Sequence, residues 1–79
     1  MAYDMKFQAG SYTVEVDTQD LRGYFEHDVV GDESAGGLWF EKTEDGTLTL
    51  TDYDGVFELP MAVITGLRSR GLHVDKDFE

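Results

Sequence analysis

At 79 residues the chain is a single domain, 1–79, with room for one thin core. It contains no cysteine, which excludes disulfides, thiolate metal ligands and thiol nucleophiles. Seventeen carboxylates against six Lys and Arg give a net charge of −11, a surface that repels DNA, RNA and anionic lipid and speeds encounter with basic partners.

The first half of the chain reads as strands. Tyr3, Met5 and Phe7 alternate with Asp4, Lys6 and Gln8, the period of a half-buried strand. Ala9-Gly10-Ser11 is a turn signal, after which Tyr12, Val14 and Val16 alternate with Thr13, Glu15 and Asp17, so a first hairpin is predicted. A polar connection from Thr18 to Asp20 leads to a β-rich stretch from Arg22 to Val30. Three glycines and two adjacent acids make 31–37 a loop, and Leu38 to Thr43 reads as the next strand. Asp45-Gly46 is a hairpin turn, because glycine takes positive φ without strain. Thr47, Thr49 and Thr51 then share one face, with Leu48 and Leu50 on the other. Asp54-Gly55 repeats the turn signal, and Val56-Phe57 reads as a short returning strand.

One helix follows. Pro60 suits its first position, where the missing N–H costs nothing. Leu59, Val63 and Leu67, with Ile64 beside them, form one apolar stripe. Arg68 and Arg70 complement the dipole of the last turn, and Gly71 followed by Leu72 predicts a Schellman ending. Gly66 weakens the helix by up to about 1 kcal/mol relative to Ala, which points to close approach of the sheet. The tail from His73 either adds an edge segment through Val74 and Phe78 or frays. The fold expected is α+β: an antiparallel sheet of about five strands with one C-terminal helix packed on one face.

No catalytic arrangement stands out. His27 and His73 lie far apart in sequence without an orienting partner, and no Ser sits in a nucleophile-elbow pattern. Gly31, Gly36 and Gly37 do not match a phosphate loop. Asp52-Tyr53-Asp54-Gly55 begins like a calcium loop, but its glycine comes at the fourth place and Pro60 follows where ligands should continue. A carboxylate pair for glycoside chemistry would need a cleft for which this domain has little volume. Neither enzymatic activity nor a cofactor or metal is expected. No apolar run approaches the roughly 18 residues of a membrane span, and MAYDMKFQAG lacks the regions of a signal peptide, so the expected location is the cytoplasm.

The acidic charge has a pattern. Residues 15–33 carry seven acids and one Arg, and 41–58 carry six acids and one Lys, whereas 59–74 hold only Arg68 and Arg70. Glu15 and Asp17, Glu26 and Asp28, and Asp52 and Asp54 are i, i+2 pairs, about 6.7 Å apart on one face of a strand. Aligned in neighbouring strands they would form rows with a rough likeness to a phosphate track, which carries a charge every ~3.4 Å. Acids of this kind also simply keep a small sheet soluble, yet −11 exceeds the net charge of about 2–8 that solubility wants. Trp39 alternates with Leu38 and Phe40 and is either core or an exposed anchor; Tyr53 flanks the acids from the next strand.

At GGLWFE (36–41), DYDGVFELP (52–60) and VITGLRSRGLHVDKDFE (63–79) the chain resembles small acidic bacteriophage-encoded anti-CRISPR proteins, in particular inhibitors of type I surveillance complexes such as type I-C. The resemblance spans about half the chain. It implies a protein of the host bacterial cytoplasm that binds a Cas subunit, covers a positively charged surface and blocks target DNA, without catalysis or direct contact with nucleic acid. The acidic pattern nominates Glu26, Asp28, Asp32, Glu33, Asp52, Tyr53 and Asp54 as the partner-binding residues, on a monomer or weak dimer. The alternative is a small phage structural or assembly protein that packs against its own kind around Trp39 or the helix.

Overall fold

Alternating runs become a meander of strands in the computed structural model, which describes residues 3–29, 31, 34–55 and 58–79. Strands β1 (Met5–Ala9), β2 (Tyr12–Asp17), β3 (Arg22–His27), β4 (Ala35–Lys42) and β5 (Leu48–Gly55) pair antiparallel, each with the next. The helix α1 (Met61–Ser69) then crosses back, and a two-residue strand β6 (His73–Val74) joins β5 in parallel. Among the described residues the sheet is therefore mixed and has six strands in sequence order, rather than five antiparallel ones. The added strand is the first part of the edge segment expected through Val74 and Phe78; Phe78 itself falls in a short 3-10 helix, Lys76–Phe78. The strand runs parallel to β5 because a helix separates the two, a connection long enough to return the chain to the same end.

One side of this curled half-barrel is the core. Phe7, Val14, Val16, Phe25, Leu38, Phe40, Leu48 and Leu50 point to it from the strands, and Val63, Ile64 and Leu67 from α1. The curl depends on missing side chains. A Cβ on Gly23 would run into the carbonyl oxygen of Glu15, and one on Gly36 into that of Asp54. Gly36 and Gly37 accordingly lie inside β4, not in the preceding loop, and Asp54-Gly55 extends β5 opposite them. The turn expected at Asp54-Gly55 does not form, because the ladder to Gly37 and Gly36 holds this pair extended. Val30, Val56 and Phe57, assigned to strands from the sequence, lie outside the described residues.

The turns follow the side chains. In the β4–β5 hairpin, Thr43 N–H donates to Thr47 O, and the Asp45 carboxylate accepts from Thr43 Oγ1 and from Thr47 N–H. Those bonds, the Thr43 one first, lower the Asp45 pKa to about 2. Between β2 and β3 the carboxylate of Asp17 accepts the backbone N–H groups of Gln19 and Asp20. Asp17 is buried by this role, so it leaves the acidic pair it was expected to form with Glu15.

Pro60 caps α1 from just outside it, one residue earlier than its expected place. Leu59 and Ile64, at the two positions of a hydrophobic staple, are both buried. The Schellman ending forms as expected: Leu72 N–H donates to Leu67 O, Gly71 N–H donates to Arg68 O, and Gly71 has φ +87. No helix among the described residues is long and apolar enough to cross a membrane.

Gly66 is the contact point between helix and sheet. A Cβ there would stand 2.8 Å from Ala9 Cβ and 2.9 Å from Phe7 Cε2, both on the edge strand β1. Gly66→Ala therefore loses more from overpacking, about 1–3 kcal/mol, than the ~1 kcal/mol that helix propensity returns. Urea unfolding is expected to show a net loss of stability; a more stable variant would mean that α1 does not sit this close to β1.

Candidate functional site

The convex side of the sheet has no helix over it, and its residues follow from the register. One cross-strand row is Lys6, Glu15, Tyr24, Gly37 and Asp54; the next is Asp17, Arg22, Trp39 and Asp52; a third is Gln8, Thr13, Glu26 and Ala35. Trp39 faces outward and is 41% exposed, which resolves its two readings in favour of the surface. Its ring lies over Gly37, where a Cβ would meet Cη2 of the indole at 3.1 Å. The indole thus covers backbone that glycine leaves bare while the residue stays exposed. Tyr24, the cross-strand partner of Gly37, packs edge-on against Tyr3 at 5.2 Å.

The orientation of Asp52 and Asp54 depends on a bulge. Trp39 pairs with Asp52, yet Phe40 pairs with Leu50, leaving Thr51 as an extra residue in β5. Thr51 Oγ1 donates to the carbonyl oxygen of Trp39 across the bulge, at 3.2 Å. Strict alternation would have put Asp52 and Asp54 on the face of Leu48 and Leu50. The extra residue turns both carboxylates outward and sends Tyr53 inward. Tyr53 is half-buried against the core and packs edge-on on Phe78 at 5.9 Å, so it does not belong to the outer face with the acids.

Besides Asp17, which is buried in its turn, six carboxylates among the described residues stand on this side: Glu15, Glu26, Asp28, Glu41, Asp52 and Asp54. Lys6 and Arg22 are the cations on it, and Arg22 approaches Asp20 at 3.9 Å. Among the described residues no ion pair engages Glu26, Glu41, Asp52 or Asp54. The other four Lys and Arg lie elsewhere. Lys42 and Arg70 line a groove of 460 Å³ below the end of α1, and Arg68 and Lys76 line its neighbour of 470 Å³. Acids stand among these cations too: Asp45 lines the first groove, Asp75 the second, and Arg68 pairs with Glu79.

The seven residues nominated from the sequence divide. Glu26, Asp52 and Asp54 share the open face as exposed carboxylates. Asp28 stands at the end of that face and accepts hydrogen bonds from Thr13 Oγ1 at 2.7 Å and from Gln8 Nε2. These bonds, Thr13 first, lower its pKa, so it keeps its charge but spends acceptor capacity on its own sheet. Asp32 and Glu33 lie outside the described residues, and Tyr53 faces the core. Tyr24 was missed, although its alternation with Phe25 placed it on the side of Glu26. No family model matches the chain, and neither a curated protein nor a solved structure matches it.

Tyr24 donates its phenol proton to Glu15. That bond, then burial and the charges of Glu15 and Glu26, raise the Tyr24 pKa to about 12. Because the folded value lies above the unfolded one, near ~10, the associated stability is complete below about pH 10 and is lost as pH rises through 12. Ultraviolet titration of the phenolates is expected to show a component near pH 12 that Glu15→Gln moves to lower pH. An unchanged titration in the variant would break the link between Tyr24 and Glu15.

Proposed function

We propose that the domain acts by binding rather than by catalysis, docking the open face of its sheet on a Lys/Arg-rich surface of a nucleic-acid-handling protein. The observation that carries this reading is the gathering of Glu15, Glu26, Glu41, Asp52 and Asp54 around an exposed indole on one helix-free face. Carboxylates left without cationic partners keep their full field, which steers a basic groove toward them and is only partly screened at physiological salt, where the Debye length is about 8 Å. An aromatic anchor within the patch gives the contact a desolvated centre, with the charges as its rim.

The resemblance to anti-CRISPR inhibitors supplies the identity of the partner in this proposal: a Cas subunit of a type I effector complex, whose DNA-binding surface the domain would cover. The sheet then stands in for the phosphate backbone, and the inhibitor competes with target DNA without touching nucleic acid. Packing against a second copy through the same face is less favourable, because it would set Asp52 and Asp54 against like charges.

The test is inhibition of target-DNA binding by purified type I surveillance complexes, type I-C first, over a series of salt concentrations. The wild-type domain is expected to block binding in a salt-dependent manner. The triple variant Glu26→Gln, Asp52→Asn, Asp54→Asn should lose potency by about tenfold or more and show a shallower salt slope, while unfolding at an unchanged urea midpoint. Equal potency of wild type and variant would refute the electrostatic mechanism, and an absence of inhibition in every type I complex would refute the partner.

A further inference from the structure

Trp39 and the two carboxylates opposite it form a more specific arrangement than a diffuse acidic patch. Asp52 is the direct cross-strand partner of Trp39, and Asp54 is the partner of Gly37, over which the indole ring lies. The two carboxylates are therefore on the strand adjoining the ring, about 6.7 Å apart along it. The Thr51 bulge, held by the bond from Thr51 Oγ1 to Trp39 O, fixes both on the ring's side of the sheet. On the other flank Trp39 pairs with Arg22, whose guanidinium leans toward Asp20. Among the described residues the guanidinium seated on an aromatic ring is that of Arg70, 5.0 Å from the centre of Phe7, so exposed Trp39 carries no cation of its own.

We propose that Trp39, Asp52 and Asp54 form an anchor for a single arginine side chain presented by the protein partner. This deepens, and rests on, the reading of the open sheet face as a docking surface for a basic protein. A guanidinium is planar, weakly hydrated and rich in N–H donors around its rim. Laid flat on the indole it keeps its edge free to donate to the carboxylates beside the ring. A lysine ammonium is a compact, strongly hydrated point charge that gains little from stacking. The same geometry disfavours the other occupants of an exposed indole. A nucleic-acid base would bring its phosphates against Asp52 and Asp54, and an apolar side chain would leave the two carboxylates to be desolvated without a partner.

Trp39 is the sole tryptophan, so intrinsic fluorescence reports on the anchor directly. The experiment titrates the full-length domain with oligoarginine and oligolysine peptides of equal length at low and physiological salt. Oligoarginine is expected to change Trp39 emission and to bind about tenfold more tightly than oligolysine, in keeping with a desolvated cation–π contact. Trp39→Ala, followed by anisotropy of labelled peptides, should bring the arginine affinity down to that of lysine and leave the lysine affinity unchanged. Asp52→Asn with Asp54→Asn, which retains the fluorophore, should remove the arginine preference too and so guards against misfolding of the tryptophan variant. Equal, salt-sensitive binding of both peptides by wild type would overturn the arginine anchor while leaving the acidic docking face standing. Failure of both peptides to bind at low salt would overturn the anchor and the docking face alike.

Discussion

The extra residue in β5 is the constraint on which the two faces of the sheet depend. Upstream of Thr51, Leu48 and Leu50 point into the core; downstream, Tyr53 does, although the sequence separation between Leu50 and Tyr53 is odd. Without the bulge, one of two bad outcomes would follow. Either Asp52 and Asp54 would enter the core beside Leu38, at the cost of desolvating two carboxylates, or Leu48 and Leu50 would leave it. The bulge lets one strand supply a leucine pair to the core at one end and a carboxylate pair to solvent at the other. Its position beside Trp39 is what joins the aromatic and the acidic parts of the open face.

The placement of the cations is the second consequence of the same architecture. The helix closes the concave side, so polar residues of β1 to β5 share a single exposed surface. The helix C-terminus concentrates Arg68 and Arg70 at the far end, where positive charge offsets the dipole. Four of the six cations are held away from the open face, where they meet acids of their own such as Asp45, Asp75 and Glu79.

Much of this was legible in the chain. Alternation located β1 and β2, β-rich composition located β3, Asp-Gly located the β4–β5 hairpin, and Gly71-Leu72 located the helix end, because each signal is a local requirement. Gly66 was rightly read as a point of close approach. What escaped were features decided by neighbours in space. Asp54-Gly55 has the composition of a turn, but pairing with Gly36 and Gly37 keeps it extended. Tyr53 lost its expected place among the acids because a bulge leaves no mark in local periodicity. Asp17 counts as surface charge until its turn claims it, and the edge segment expected through Val74 and Phe78 ends at Val74, with Phe78 in a short 3-10 turn. Whether Trp39 was core or surface depended on which side the helix would cover.

The central claim is that Trp39 stands exposed within a field of carboxylates that no cation pairs, and ionic quenching of its fluorescence tests that without a partner. At low ionic strength the cation caesium should quench Trp39 more efficiently than the anion iodide, and added neutral salt should bring the two together. Iodide quenching as strong as caesium quenching at low salt, or an indole that neither ion reaches, would contradict the account.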